Sequence, residues 1–184
     1  MASNLNLDEL RVILYGHPDP DKRINAGSRV VEIYVQKGRY SDLLGLSFNE
    51  KLPEDVRVNA GSRVVEIYIQ KGMYNDLLDL SRDERLPEDV RVNARERVGN
   101  AVERVVERYI QESRYDSLLG LSYDERLPED VRVNAGSRAV ERYIQESRYD
   151  YLLDLSRDEK LPEDVRVNIR EKLKDLAVQM AGKL

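Results

Sequence analysis

The hydrophobic positions of this chain fall on a helical period. Between residues 53 and 72, Val56, Ala60, Val64 and Tyr68 recur at i, i+4, i+8 and i+12, and Val58, Val65 and Ile69 widen the same face. Period-2 alternation is absent, and the Asp, Glu and Lys content suits exposed helix, so strands are not expected. Pro53 fits the first helical position, with Glu54 and Asp55 beside the positive end of the dipole, and Gly72 reads as the C-cap. A shorter second helix follows, opened by Asn75 and Asp76 and packed through Tyr74, Leu77, Leu78 and Leu80. Ser81 and Glu84 then match a capping box, as do residues 47–50, 122–125 and 156–159, which leaves open a third short turn before each proline.

This pair of helices, A and B, recurs. Leu-Pro-Glu-Asp-Val-Arg begins at Leu52, Leu86, Leu127 and Leu161, at spacings of 34, 41 and 34, and residues 21–29 match 55–63 a further 34 upstream. A fixed period of this size marks an array of stacked units. The expected fold is therefore all-α, an α-solenoid of about four antiparallel helix pairs with a half-repeat cap at each end, in one domain over 1–184. The cap helix lies in 1–19, starting at Asn6 and ended by Gly16 and Pro18; repeats occupy 20–51, 52–85, 86–126 and 127–160. A closing helix follows in 161–184, where Lys172, Lys174 and Lys183 give a polar outer face, as a terminal unit requires.

Repeat three holds seven extra residues. Residues 93–99 and 100–106 agree at five of seven positions, so a heptad is duplicated. Seven residues shift a helical face by only about 20°. Helix A of this repeat is expected to run unbroken from Pro87 to Glu112, about 10 Å longer than its counterparts and nearly in phase, with Val98, Val102 and Val105 along the extension.

Glu54, Asp55, Val56, Arg57 and Ala60, followed by the Val64-Val65 and Leu77-Leu78 pairs, resemble a HEAT repeat, which opens its first helix with an acidic residue, Val-Arg and a small residue three positions on. Tyr68, Gly72 and Tyr74 also match part of the tetratricopeptide turn, but Leu77 stands where that family has a small residue, and helix B is short for it. The HEAT-like resemblance covers about residues 20–168. It implies an α-solenoid whose usual role is to bind other proteins. The near-identity of the copies points to an engineered or consensus-derived chain.

Charge and composition narrow the function. Thirty Lys and Arg against 35 Asp and Glu give −5, with both signs interleaved, which disfavours nucleic acid as partner. The absence of cysteine removes disulfides and thiolate chemistry, and a single histidine rules out a His pair for metal. No apolar run reaches 18 residues, and the first residues lack a basic-then-apolar leader, so a cytoplasmic protein is expected. We expect no catalytic residue, no cofactor and no metal.

His17 beside Pro18 has no partner at useful spacing and reads as structural. The pairs Glu54-Asp55 and Asp83-Glu84 recur at helix starts, where the dipole explains them. Arg23, Arg57, Arg91, Arg132 and Arg166 form a column, as do Asn25, Asn59, Asn93, Asn134 and Asn168; both are expected to bond to the neighbouring repeat's loop. Arg63 and Glu66 make an ordinary surface pair. Ile33 and Ile67 become Arg108 and Arg142, which marks a rim position.

The positions that change between copies carry the binding expectation. On helix B, Ser41, Gly45 and Phe48 become Asn75, Asp79 and Arg82, then Asp116, Gly120 and Tyr123, then Asp150, Asp154 and Arg157, with Tyr151 alongside. Aromatic and Arg residues on one face are what protein interfaces use as anchors. Phe48, Asp79, Arg82, Tyr123, Tyr151, Asp154 and Arg157 are therefore the candidate protein-binding residues; the alternation also fits a role in seating one repeat on the next. The expected function is a non-catalytic scaffold that binds a protein or peptide. The alternative is a homodimer through Val98, Val102 and Val105. A HEAT-like enzyme or nucleic-acid module is third.

Overall fold

The structure is a computed structural model that describes residues 5–181, so Lys183 lies outside the described residues. The described residues form helices and no strand: α1 (Leu7–Gly16), α2 (Pro20–Gln36), α3 (Tyr40–Phe48), α4 (Glu54–Lys71), α5 (Tyr74–Arg82), α6 (Glu88–Glu96), α7 (Val98–Gln111), α8 (Tyr115–Tyr123), α9 (Glu129–Gln145), α10 (Tyr149–Leu155) and α11 (Glu163–Ala181). The fold is all-α. The chain divides into two compact units, 1–101 and 102–184. The division falls inside the second copy of the duplicated heptad, a boundary that the even repeat does not announce.

In the first unit the A helices α2, α4 and α6 lie side by side, and the B helices α3 and α5 pack between each A helix and the next. The lone helix α1 covers α2. It opens with the capping box of Asn6 and Glu9, with Asn6 accepting from the Glu9 N–H at 3.0 Å. In the second unit α9 packs on α8, α10 and α11, and α10 also packs on α11. Val30, Val56, Ala60, Leu43, Leu77 and Val90 are fully enclosed in the first core, Leu118, Ala135, Val140 and Tyr143 in the second. Each such Val or Leu contributes about 1.5–3 kcal/mol through burial, before the entropy of ordering is set against it.

Helix boundaries follow local chemistry with two departures from expectation. Pro53, Pro87 and Pro128 stand one position earlier than expected, as N-caps with ψ of 140°, 144° and 146°. Only Pro20 takes the first helical position, after Asp19, whose side chain accepts the Asp21 N–H at 3.0 Å. The capping boxes expected at Ser47 and Ser81 do not form. Both serines are buried inside α3 and α5, and their hydroxyls donate back to Leu44 O and Leu78 O at 2.8 and 2.7 Å. The turn before each proline is instead built on Asn49, Asp83, Asp124 and Asp158, whose side chains accept the N–H two residues on. Gly72 ends α4 in the left-handed region at φ 65°, as its sequence position requires. At the corresponding places in repeats three and four, Ser113 and Ser147 hold φ of 57° and 58°.

The long helix of repeat three is not continuous. It breaks at Arg97, between α6 and α7, where the Arg97 N–H is shared between Asn93 O at 3.2 Å and Ala94 O at 3.3 Å. The apolar phase survives the break: Val90, Ala94, Val98, Ala101, Val102, Val105 and Val106 are all buried.

Candidate functional site

The arginine column joins repeats through the backbone. Arg57 Nε donates to Ser47 O at 3.2 Å and its Nη2 to Arg85 O at 2.7 Å, so one side chain ties the end of helix B to the loop of the next repeat. Arg23 does the same with Leu14 O and Lys51 O, and Arg132 with Ser122 O and Lys160 O. The planar fork of guanidinium suits two carbonyls at once. Arg91 and Arg166 depart from this, since the Nε of each is buried without a partner. The asparagine column departs altogether. Among the described residues Asn25, Asn59, Asn93, Asn134 and Asn168 make no side-chain hydrogen bond, so the expected tie to the neighbouring loop is absent there.

The aromatic candidates are occupied within the chain. The Arg85 guanidinium lies 4.5 Å from the Phe48 ring centroid and forks Asp83 at 2.9 and 2.6 Å. The Tyr123 hydroxyl donates to Asp158 Oδ2 at 2.6 Å. Burial first, then this hydrogen bond, raises the Tyr123 pKa above the ordinary tyrosine value, and the bond holds Asp158 below the usual carboxylate range. Tyr151 meets Tyr143 edge-on at 5.2 Å, with Arg148 4.7 Å over both rings. Tyr143 is fully buried and donates to Asp116 Oδ1 at 2.7 Å. Phe48 and Tyr123 thus seat one repeat on the next, which is the other role the alternation allowed.

The remaining candidates stay free. Asp79 and Arg82 of α5, and Asp154 and Arg157 at the end of α10, are exposed with no ion pair among the described residues. Leu153 precedes Asp154 on α10 at 44% exposure, an apolar neighbour that periodicity alone does not single out.

The homodimer residues are corrected by burial. Val98, Val102 and Val105 are 1%, 0% and 2% exposed, so they are core and present no surface. His17 accepts the Asp19 N–H at its Nδ1, 3.0 Å away, and shapes the turn between α1 and α2. Arg63 and Glu66 pair at 3.0 Å on the surface, worth a few tenths of a kcal/mol. Among the described residues no group of three His, Cys, Asp or Glu is placed to hold a metal ion. None of their helices is long and apolar enough to cross a membrane.

One groove was not foreseen. In the second unit, Glu103, Val106, Glu107 and Ile110 of α7 and Asn134 and Arg138 of α9 line a space of about 400 Å³. Val131, at the start of α9, is partly exposed, whereas its counterparts Val56, Val90 and Val165 are completely buried. The signal lay in the sequence. Gly27, Gly61 and Gly136 let the A helices approach, and repeat three has Arg95 and Val102 in the corresponding places. No family model, curated protein or solved structure matches the chain.

Proposed function

We propose that the chain is a non-catalytic helical-repeat scaffold of HEAT-like type, consensus-derived in origin, cytoplasmic in setting, and that it binds another protein through the free ends of its B helices. The observation that carries this reading is the division of labour among equivalent positions. Phe48 and Tyr123 are consumed at junctions between repeats, while Asp79 and Arg82, and separately Leu153, Asp154 and Arg157, stand exposed and unpaired. A scaffold tolerates any polar residue at such places; charged and apolar groups side by side suit a partner's surface. The test is selection of peptides from a display library on the full chain, followed by rebinding to Asp79→Lys/Arg82→Glu and to Leu153→Glu/Arg157→Glu. Selected peptides should lose binding to one variant. Peptides that ignore both variants would sink the reading.

Self-association is a second reading, moved from the buried valines to α11. Its Leu173, Leu176, Ala177 and Met180 share one face at i, i+3, i+4 and i+7, and Met180 is 62% exposed. Light scattering on the wild type and Met180→Glu tests it: a mass above the 21.3 kDa of one chain, lowered by the substitution, supports it.

A further inference from the structure

The first unit closes as the whole chain closes. Residues 86–93 and 161–168 are identical, and the next four positions are Ala94-Arg95-Glu96-Arg97 in one and Ile169-Arg170-Glu171-Lys172 in the other. Three other A helices read differently at this place, with Gly27-Ser28, Gly61-Ser62 and Gly136-Ser137. That glycine admits the valine of the next A helix. A Cβ on Gly27, Gly61 or Gly136 would come as near as 2.5, 2.7 and 2.8 Å to a valine methyl. An arginine side chain does not fit such a gap, so a helix that carries one there is the last of its row. Arg95 and Arg170 are both exposed.

The chain after α6 is already a helix end. Arg97 is the C-cap, with φ −101° and ψ 2°, and its N–H is shared between the carbonyls of Asn93 and Ala94. Sharing of this kind is common at helix termini. With nine residues α6 is too short to hold by itself in water, and it stands because it packs on α4 and α5. Its turns therefore depend on the first unit. From Val102 onward the second heptad copy belongs to the other unit, where Val102 and Val105 are enclosed. Val102 stands in the glycine's place, and Val131 of α9, with no glycine to seat it, is partly exposed. The duplication thus gives each unit its own segment of helix A, where elsewhere one helix serves two neighbouring repeats.

In a helical array each repeat is stabilised by its neighbours, and coupling runs from one end to the other. We propose that the duplicated heptad interrupts this coupling, so that residues 1–101 and 102–184 are two autonomous folding units, each opening and closing while the other stays folded. Arg97 marks where the support stops. A ligand held by one unit then protects that unit alone. This inference does not rest on the B-helix reading and holds or fails apart from it.

Differential scanning calorimetry on the full chain tests it. The wild type should show two transitions or, where these coincide, a calorimetric enthalpy about twice the van't Hoff value. Val30→Ala removes buried methyls from the first unit and Val140→Ala from the second. Each should lower one transition by about 5 °C or more and leave the other in place. Val64→Ala, one repeat beyond Val30 in the same unit, should move the same transition as Val30→Ala. A substitution that abolishes folding of its own unit while the other still melts supports the proposal as fully as a shift does. One two-state melt that all three substitutions lower together overturns it. So does a transition that Val64→Ala moves and Val30→Ala does not, which means that melting runs repeat by repeat and the heptad separates nothing.

Discussion

Gly61 faces Val90 so closely that a Cβ placed on it would lie 2.7 Å from both Val90 methyl groups. Gly27 stands in the same relation to Val56 (2.5 and 2.7 Å) and Gly136 to Val165 (2.8 and 3.1 Å). Valine is stiff at χ1 and these three are completely buried, so the methyls have nowhere to go. Overpacking of this kind costs about 1–3 kcal/mol, against about 1 kcal/mol gained by replacing glycine in a helix. Gly61→Ala should therefore lose about 1 kcal/mol in urea unfolding. Gly45 and Gly120, on B helices, meet nothing within 4 Å. Gly45→Ala should gain about 0.5–1 kcal/mol. Equal effects of the two substitutions would show that helix–helix approach is not what the A-helix glycines provide.

Much of this was legible from the chain. The phase of Val56, Ala60 and Val64 gave the buried face of α4, and the recurrence of Arg57 gave the tie between repeats. What escaped depends on choices that periodicity does not encode. The hydroxyl of Ser81 can cap a helix start or bond back to Leu78 O, and the residues on either side allow both. The apolar phase of residues 90–106 is the same whether or not the helix breaks at Arg97, so the pattern predicts burial but not continuity. The groove between α7 and α9 was readable only by asking what Gly61 does, then seeing Val102 in its place.

Ser113 and Ser147 replace glycines at the left-handed ends of helices α7 and α9. That conformation costs an L-residue about 1–2 kcal/mol, of which glycine returns about 0.5–1 to the entropy of the unfolded chain. Their hydroxyls offer little in compensation, being 3.4 and 3.3 Å from those of Tyr115 and Tyr149. Ser147→Gly should raise stability by about 0.5–1 kcal/mol, and Gly72→Ser should lower it. A loss from Ser147→Gly would mean the serine holds the turn through a bond stronger than its distance suggests.

Val98 is 1% exposed, which sets the outcome of placing a charge there. A carboxylate at that position has no cation beside it in the core, so Val98→Glu should cost several kcal/mol, on the order of 3–5. Circular dichroism melts and light scattering on the same samples check this. The expected result is a lower melting temperature with the mass of the folded fraction unchanged. A variant that keeps its melting temperature while its mass halves would restore the self-association role of the duplicated heptad.

The bond from Tyr123 to Asp158 makes stability depend on pH at both extremes. Asp158 is held below the usual carboxylate range, first by the Tyr123 hydroxyl and then by the Lys160 N–H; Asp83 and Asp124 are lowered chiefly by the forks of Arg85 and Arg126. In the unfolded chain these aspartates take up protons near pH ~4, while in the folded chain they do so only at lower pH. The unfolded form therefore binds more protons across that window, and stability falls as pH drops through it. On the alkaline side Tyr123 and Tyr143 are raised, first by burial and then by their bonds to Asp158 and Asp116. Their contribution is complete below pH ~10 and is lost as pH rises beyond it. The melting temperature should thus be level near neutrality and fall on both limbs. Asp158→Asn should melt lower than the wild type at pH 7 and converge with it at acid pH, because the wild-type side chain is then protonated and the charge it lacks is gone from both. Curves that run parallel down to the lowest pH would mean that the Tyr123 bond owes its strength to geometry and that the charge of Asp158 adds nothing.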